Sequence, residues 1–262
     1  MSTRLFNIMA WRTLGLRLLI LCALGMSMTA CSTVTKVKTK ALATLEKVSE
    51  TTGIGNNPDD PLEGFNRSMF SFNETLDASV LKPTAQAYQA VTPSFVQTGV
   101  SNFFSNIGDA WTAVNNVLQG NFGDGVNDIL RFGINTTMGL GGLIDVASAG
   151  GMPKHRADFG QTLGVWGVPA GPYVVLPILG ASTLRDTIAT PVDFKGDLLY
   201  SQGSVAVKNS TTVLKVIDKR ASALDAANLI EEAALDKYVF IRGAYLQRRE
   251  SQISAGKKEE QE

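Results

Sequence analysis

The chain has 262 residues, enough for one or two domains with a substantial buried core. Lysine plus arginine and aspartate plus glutamate stand at 24 each, so the formal charge is zero and no basic surface for nucleic acid is expected. The 25 glycines follow no repeat and the 2 cysteines are too few for a framework, which excludes a collagen-like chain and a disulfide scaffold.

Arg4, Arg12 and Arg17 surround or precede the apolar run Leu18–Met28, which is too short to span a bilayer. It reads as the core of a cleaved export signal over residues 1–30. The stretch "MTAC" then places small Ala30 before Cys31, which resembles the bacterial lipobox, where the cysteine becomes the acylated first residue. An ordinary secretory signal with a chance cysteine is the alternative. Cys22 lies inside the apolar run and leaves with the signal, so no thiol would remain for a disulfide, a metal or catalysis. Ser32, and not an aspartate, follows Cys31; by resemblance to the sorting pattern of Gram-negative lipoproteins, this sends the protein to the outer membrane. Each buried acyl methylene contributes about 0.8 kcal/mol, so a triacylated cysteine anchors firmly.

Residues 31–57 form a lysine-rich tether, either a solvated linker or an amphipathic helix on anionic headgroups. "GIGNNPDDP" breaks any helix and opens the folded region, 58–251. Helical period dominates from there. Phe65, Met69, Phe72, Leu76 and Val80 recur at spacings of three and four, giving one apolar stripe. Thr92 and Pro93 open a second helix that is expected to end at Gly108, with Asp109 capping a third that ends at Gly120. A fourth runs from Gly123 to Met138 with Val126, Leu130 and Ile134 aligned. Ser182 is expected to cap a short helix, and longer ones follow at 204–226 and 236–250. The charged tail, 252–262, is expected to be disordered. The fold class is therefore mainly α.

Two charge-free segments interrupt this pattern. "MGLGGLI" includes Gly139, Gly141 and Gly142, and "LGVWGVPAGPYVVLPILG" includes Pro169, Pro172 and Pro177. Between them lies the polar "KHRADFG", so the expectation is a hairpin of apolar, glycine-punctuated arms with Lys154, His155 and Arg156 in a basic loop at the headgroup level. Three interior prolines rule out a straight transmembrane helix, because each removes a backbone donor at a cost of roughly 3 kcal/mol. Broken backbone at membrane depth is tolerated only when packed in protein or lining a wet cavity. Two readings stay open: a leaflet-embedded hairpin around a polar passage, or a loop pair buried in a soluble core.

Candidate chemistry is sparse. A single histidine, His155, leaves no two-histidine metal site. No nucleophile elbow and no P-loop is present, and "GLGG" lacks the rest of a dinucleotide fingerprint. Glu63, Asp145 and Asp158 read as separate loop contacts or helix caps. Neither an enzyme nor a cofactor is expected.

The motifs "DPLEGFNRSMFSFNETLD", "VNNVLQG", "RFGINTTMGLGGLIDVA" and "DFGQTLGVWGVPAGPYVVLPILGASTLRD" resemble the MlaA/VacJ lipoproteins, in order and over nearly the whole folded region. Ala181 stands where the family pattern has proline, and "HRAD" replaces a more usual "HNED". The resemblance implies one helical domain forming a ring around an amphipathic channel, lying mainly in the inner, periplasmic leaflet of the outer membrane beside a trimeric porin. It further implies that outer-membrane phospholipids are the cargo, taken from the outer leaflet and passed to a soluble periplasmic phospholipid carrier. On that basis Phe65, Met69, Phe72 and Leu76 are expected to seat the first helix in lipid or against the ring. Asn66 and Asn73 are expected to line the channel, and the three glycines and three prolines to shape or gate it. A structural porin-associated lipoprotein and a tethered soluble binder of apolar ligands are the alternatives.

Overall fold

The computed structural model describes residues 57–201 and 204–259. Cys31, the signal and nearly all of the tether lie outside them.

Helix α1 (Glu63–Leu76) continues through a π-helical turn, Asp77–Leu81, into α2 (Lys82–Val91). The turn has a local cause. Pro83 has no N–H to give to the carbonyl four residues back, and its ring crowds that carbonyl. The ladder widens there, and the Lys82 amide bonds to the Asp77 carbonyl instead. Thr92 is extended ahead of Pro93, as a residue preceding proline prefers, and α2 stops.

Helix α3 spans Ser94–Leu118 without a break. This corrects the expected division at Gly108. The glycine lies inside the helix, and Asp109 is a buried helix residue, not a cap. The helix ends where predicted, at Gly120, whose φ of 86° allows a Schellman closure: Gly120 N–H bonds to Val117 O and Asn121 N–H to Asn116 O. The chain then reverses into α4 (Phe122–Thr137), and α3 and α4 pack along their length. Gly125 permits this approach, since a Cβ there would meet Val117 at 2.7 Å.

After α4 come the short helices α5 (Val146–Ala149) and α6 (Phe159–Val165), each capped by an aspartate, Asp145 and Asp158. Strands β1 (Tyr173–Leu176) and β2 (Gly180–Thr183) pair antiparallel, with Tyr173 opposite Thr183. The apolar hairpin expected from the sequence is thus narrower: it lies within the proline-rich segment, and the basic 154–156 stretch is not its tip. Thr183, one residue after the expected Ser182, caps α7 (Leu184–Gly196) by accepting from Asp186 N–H. Helix α8 (Leu198–Ser201) is a single turn. The helix expected at 204–226 is two, α9 (Val205–Ser222) and α10 (Leu224–Ala233). Helix α11 runs Lys237–Glu259. It therefore carries through most of the tail expected to be disordered, with Gly256 packed against Val165 at the distance where a Cβ would stand 3.0 Å away.

Apolar clusters are small. One joins Ala85, Ala221 and Leu224; the other joins Tyr173, Val175 and Tyr238, with Met69, Phe70 and Tyr245 against it. Among the described residues, buried polar and charged side chains outnumber buried apolar ones, and half of the latter are alanines. No described helix is long and apolar enough to cross a membrane.

Candidate functional site

Helix α4 is amphipathic in the inverted sense. Its buried face is Gly125, Asp128, Arg131 and Asn135, while Val126, Ile129 and Leu130 on the other side are each about half exposed. The stripe found in the sequence is real, but it faces out. The same inversion holds on α3, where Asn106, Asp109, Asn115 and Asn116 are buried and Val114, Val117 and Leu118 are exposed. Leu140, Leu143, Ile144, Trp166, Ile178, Leu179 and Ile188 extend the exposed apolar set. Exposed single apolar residues are ordinary in soluble proteins; whole helix faces with the charges inside are not.

What is inside is a connected polar lattice. Arg131, fully buried, donates Nη1 to Met152 O at 2.7 Å and Nη2 to both Asp145 oxygens and Ser148 Oγ. Its Nε faces Asp109 at 3.6 Å, and Asp109 also takes Lys154. Asn135 ties the same group down, donating to Asp145 and accepting from Ala147 N–H. Burial opposes ionisation of Asp145, but Ser148, Asn135 and Arg131 outweigh it and hold the carboxyl down at about 2. For Asp109 burial wins over Lys154 and Arg131, and its carboxyl is pushed up. Further along the pair, Asn116 donates to Asp128 at 2.7 Å, which also faces His155 Nδ1 at 3.0 Å. Gln119, Thr162 and Asn115 then form a chain at 2.9 Å spacings from α3 to α6. At the far side Asp158 and Asp186 both take Arg249 of α11, and Asp186 also accepts from Tyr245 at 2.6 Å.

Beside this lattice, a cavity of about 700 Å³ opens between α3, the 154–156 segment and α9. Its wall carries Ser101, Asn102, Ser105, Asp109, Thr112, and the cations Lys154, Arg156, Lys215 and Lys219. Lys154, half-buried, and Arg156, exposed, both reach this wall from the polar loop in which the sequence places them. The volume falls in the range of small-molecule sites, and the wall is mixed, with Phe104 and Ala223 beside the polar groups. Sequence reading missed this wall because its residues come from three separated segments.

The residues singled out from the sequence are placed as follows. Asn66 is fully buried: its amide donates to Tyr173 O and Asp60 and accepts from Val175 N–H. Asn73 makes the matching pair one step on, donating to Leu176 O and accepting from Ile178 N–H at 2.7 Å. Both amides are hydrogen-bonded to β1 and the turn that follows it, so they fasten the hairpin to α1. Phe65 and Phe72 point outward, Met69 packs on the tyrosine cluster, and Leu76 is half-buried. Pro169, Pro172 and Pro177 are exposed; Pro172 O accepts from Leu184 N–H, and Pro177 O from Leu179 N–H in the hairpin turn.

The three glycines differ. A Cβ at Gly139 would stand 2.1 Å from Ile144 O and 2.4 Å from Asn135 O, and one at Gly142 would meet Asn106 at 2.5 Å. Gly141 has a φ of +73° but open space around it. Gly139→Ala is therefore expected to cost at least about 3 kcal/mol, since two backbone carbonyls must move, and Gly141→Ala about 1–2 kcal/mol from its left-handed backbone alone. Thermal unfolding of the two variants in detergent reads the difference. Equal losses would mean that the Gly139 turn is not packed as described.

The MlaA lipoprotein family model matches residues 58–252. The intermembrane phospholipid transport system lipoprotein MlaA of Escherichia coli K12 is 38% identical over 208 residues, covering 78% of this chain and 82% of its own length. The protein of the same name in Haemophilus influenzae is 34% identical over 236 residues, covering 85% and 93%. A solved structure described in work on the structural basis for maintenance of bacterial outer membrane lipid asymmetry aligns with a TM-score of 0.65 at 39% identity, covering 74% of this chain and 98% of that one.

Proposed function

The chain belongs to the MlaA lipoprotein family, and on that premise we propose that it is an outer-membrane lipoprotein that moves phospholipid out of the outer leaflet and maintains lipid asymmetry. In this reading the protein sits mainly in the inner leaflet, anchored by Cys31, as a helical ring around a polar route. It lies beside a trimeric porin and passes lipid to a soluble periplasmic carrier. The observation that carries the reading is the inversion of α3 and α4: apolar faces exposed, charges and amides inside next to a large cavity.

The physical need is plain. A headgroup crossing hydrocarbon bare loses its hydration at a cost no bilayer compensates, so it requires a polar lining. The acyl chains require continuous apolar contact at about 0.8 kcal/mol per methylene. Exposed apolar helix faces outside and a hydrogen-bonded lattice inside meet both. The sequence holds no P-loop, so this chain supplies a route and its acceptor supplies the direction. Movement of the Gly139–Gly142 turn or of the proline loop would gate the route.

A reconstituted assay tests this: labelled phospholipid in the outer leaflet of a vesicle, the full lipoprotein in the membrane, and a periplasmic carrier outside. Transfer should depend on the protein. A porin brace would give none. Fractionation of Cys31→Ala separates the remaining alternative: an embedded ring still needs detergent for release, whereas a tethered soluble binder would be released into the periplasm.

A further inference from the structure

Lys154, Arg156, Lys215 and Lys219 all reach the wall of the 700 Å³ cavity. Two of them are matched: Lys154 pairs with Asp109, and Lys215 with Asp197 at 2.6 Å. His155 is held by Asp128 at 3.0 Å and faces Asp124 at 3.4 Å. The remaining wall carboxylate, Asp218, accepts from Ser101 Oγ at 2.8 Å and lies 3.5 Å from the Tyr88 hydroxyl. Among the described residues, no carboxylate pairs with Arg156 or Lys219.

Those two cations stand close enough to act on each other. Both residues are exposed on the cavity's wall, where partial desolvation, and after it the charges of Lys215, Arg156 and Arg248, push the Lys219 ammonium below the usual lysine range. Two like charges on a concave wall, neither of them in an ion pair with the wall's carboxylates, are stabilised by an anion that both share. A guanidinium fork matches two oxygens of a phosphate, and an ammonium adds a point charge to the same group. The cavity is larger than a bare ion needs, and Phe104 and Ala223 give its wall an apolar part. Both facts suit a phosphate carried on an organic body.

We propose that Arg156 and Lys219 form a phosphate-recognition site in this cavity, which takes the phosphodiester of a phospholipid headgroup and favours anionic headgroups over zwitterionic ones. The site rests on the transport reading, and it names what the route recognises. The headgroup preference follows from charge: a zwitterionic headgroup brings its own cation into a wall that already has an unmatched pair.

The test is calorimetric titration of the full lipoprotein in a non-ionic detergent. The probes are short-chain phosphatidylglycerol, short-chain phosphatidylethanolamine, the diacylglycerol of the same chains, and inorganic phosphate. Phosphatidylglycerol should bind most tightly and diacylglycerol most weakly. Arg156→Gln and Lys219→Gln should each weaken phosphatidylglycerol binding by about tenfold, with circular dichroism unchanged. Lys195→Gln, outside the wall, should leave binding as it is. Wild-type affinity in the double variant, or equal affinity for diacylglycerol, would overturn the site. Inorganic phosphate binding as tightly as the lipid would assign the cations to the free ion and overturn the headgroup assignment. Undiminished lipid transfer by the double variant would remove the site while leaving the transport reading standing. Tight headgroup binding by a wild type that transfers nothing would do the reverse.

Discussion

Arg131→Ala should lower stability by about 3–5 kcal/mol, the cost of breaking a buried ion pair and leaving its partners charged in the interior. The side chain is fully buried, and its guanidinium ties Met152 O, Asp145, Ser148 and Asp109 into one unit. Without it, Asp145 and Asp109 lose their shared cation, and the α4–α5 connection loses its central strut. In a domain of this size that loss corresponds to a fall of roughly 10 °C in the unfolding midpoint. Arg131→Lys should recover only part of it, since a single ammonium cannot span the carbonyl and both oxygens of Asp145 at once. Differential scanning calorimetry of both variants in detergent checks this. A midpoint within 2 °C or so of wild type for the alanine variant would mean that the lattice contributes little.

The second large effect is on seating in the membrane and should leave the fold intact. Val126→Asp with Leu130→Asp places two carboxylates on the outer face of α4, where both side chains are about half exposed. In water, surface changes of this kind stay within about 0.5 kcal/mol of neutral. In hydrocarbon each aspartate costs about 2.5–3.5 kcal/mol, so membrane partitioning should fall by two orders of magnitude or more. The paired readout is vesicle flotation and thermal unfolding on the same variant, made without the acyl anchor by Cys31→Ala. Loss of flotation with an unchanged midpoint is expected. Unfolding together with loss of flotation would mean that the two side chains are packed in a core.

Helix existence was legible because period needs no knowledge of orientation. The α4 stripe of Val126, Leu130 and Ile134 marks the helix whichever side faces in. It does not say which side that is, and the default reading of apolar as inward is reversed here by the surroundings. The buried face of α4 consists of Asp128, Arg131 and Asn135, residue types that in an ordinary helix mark the solvent side. Only their hydrogen-bond partners, far along the chain, give the orientation away. Gly108 was read as a helix end for a related reason. A glycine followed by an aspartate is a good stop-and-cap signal, but burial of Asp109 against Lys154 and Arg131 carries the helix through. Ser204, where a helix is expected to begin, caps α9 by accepting from Val207 N–H.

The candidate site was legible in part. The family motifs pointed to the proline-rich segment and the α1 asparagines, and both are structurally central. Their hydrogen-bond partners are not legible: Asn66 reaches Tyr173 and Val175, Asn73, about two helical turns on, reaches Leu176 and Ile178, and nothing in the sequence announces that strand. The cavity wall was not legible. Ser101, Arg156 and Lys219 come from three segments whose meeting depends on how α9 lies against α3.

The central claim is that the apolar faces turned outward in this structure meet acyl chains while the polar lattice does not. Brominated phospholipids test it directly through the two tryptophans of the folded region. Trp166 is more than half exposed, at 55%, among the outward apolar residues. Trp111 donates its indole N–H to Asp193 at 2.8 Å and stacks over Gly196. With the lipoprotein in vesicles, acyl-chain bromine should quench strongly in Trp111→Phe, where Trp166 remains, and weakly in Trp166→Phe. Equal or absent quenching in the two variants would contradict the account.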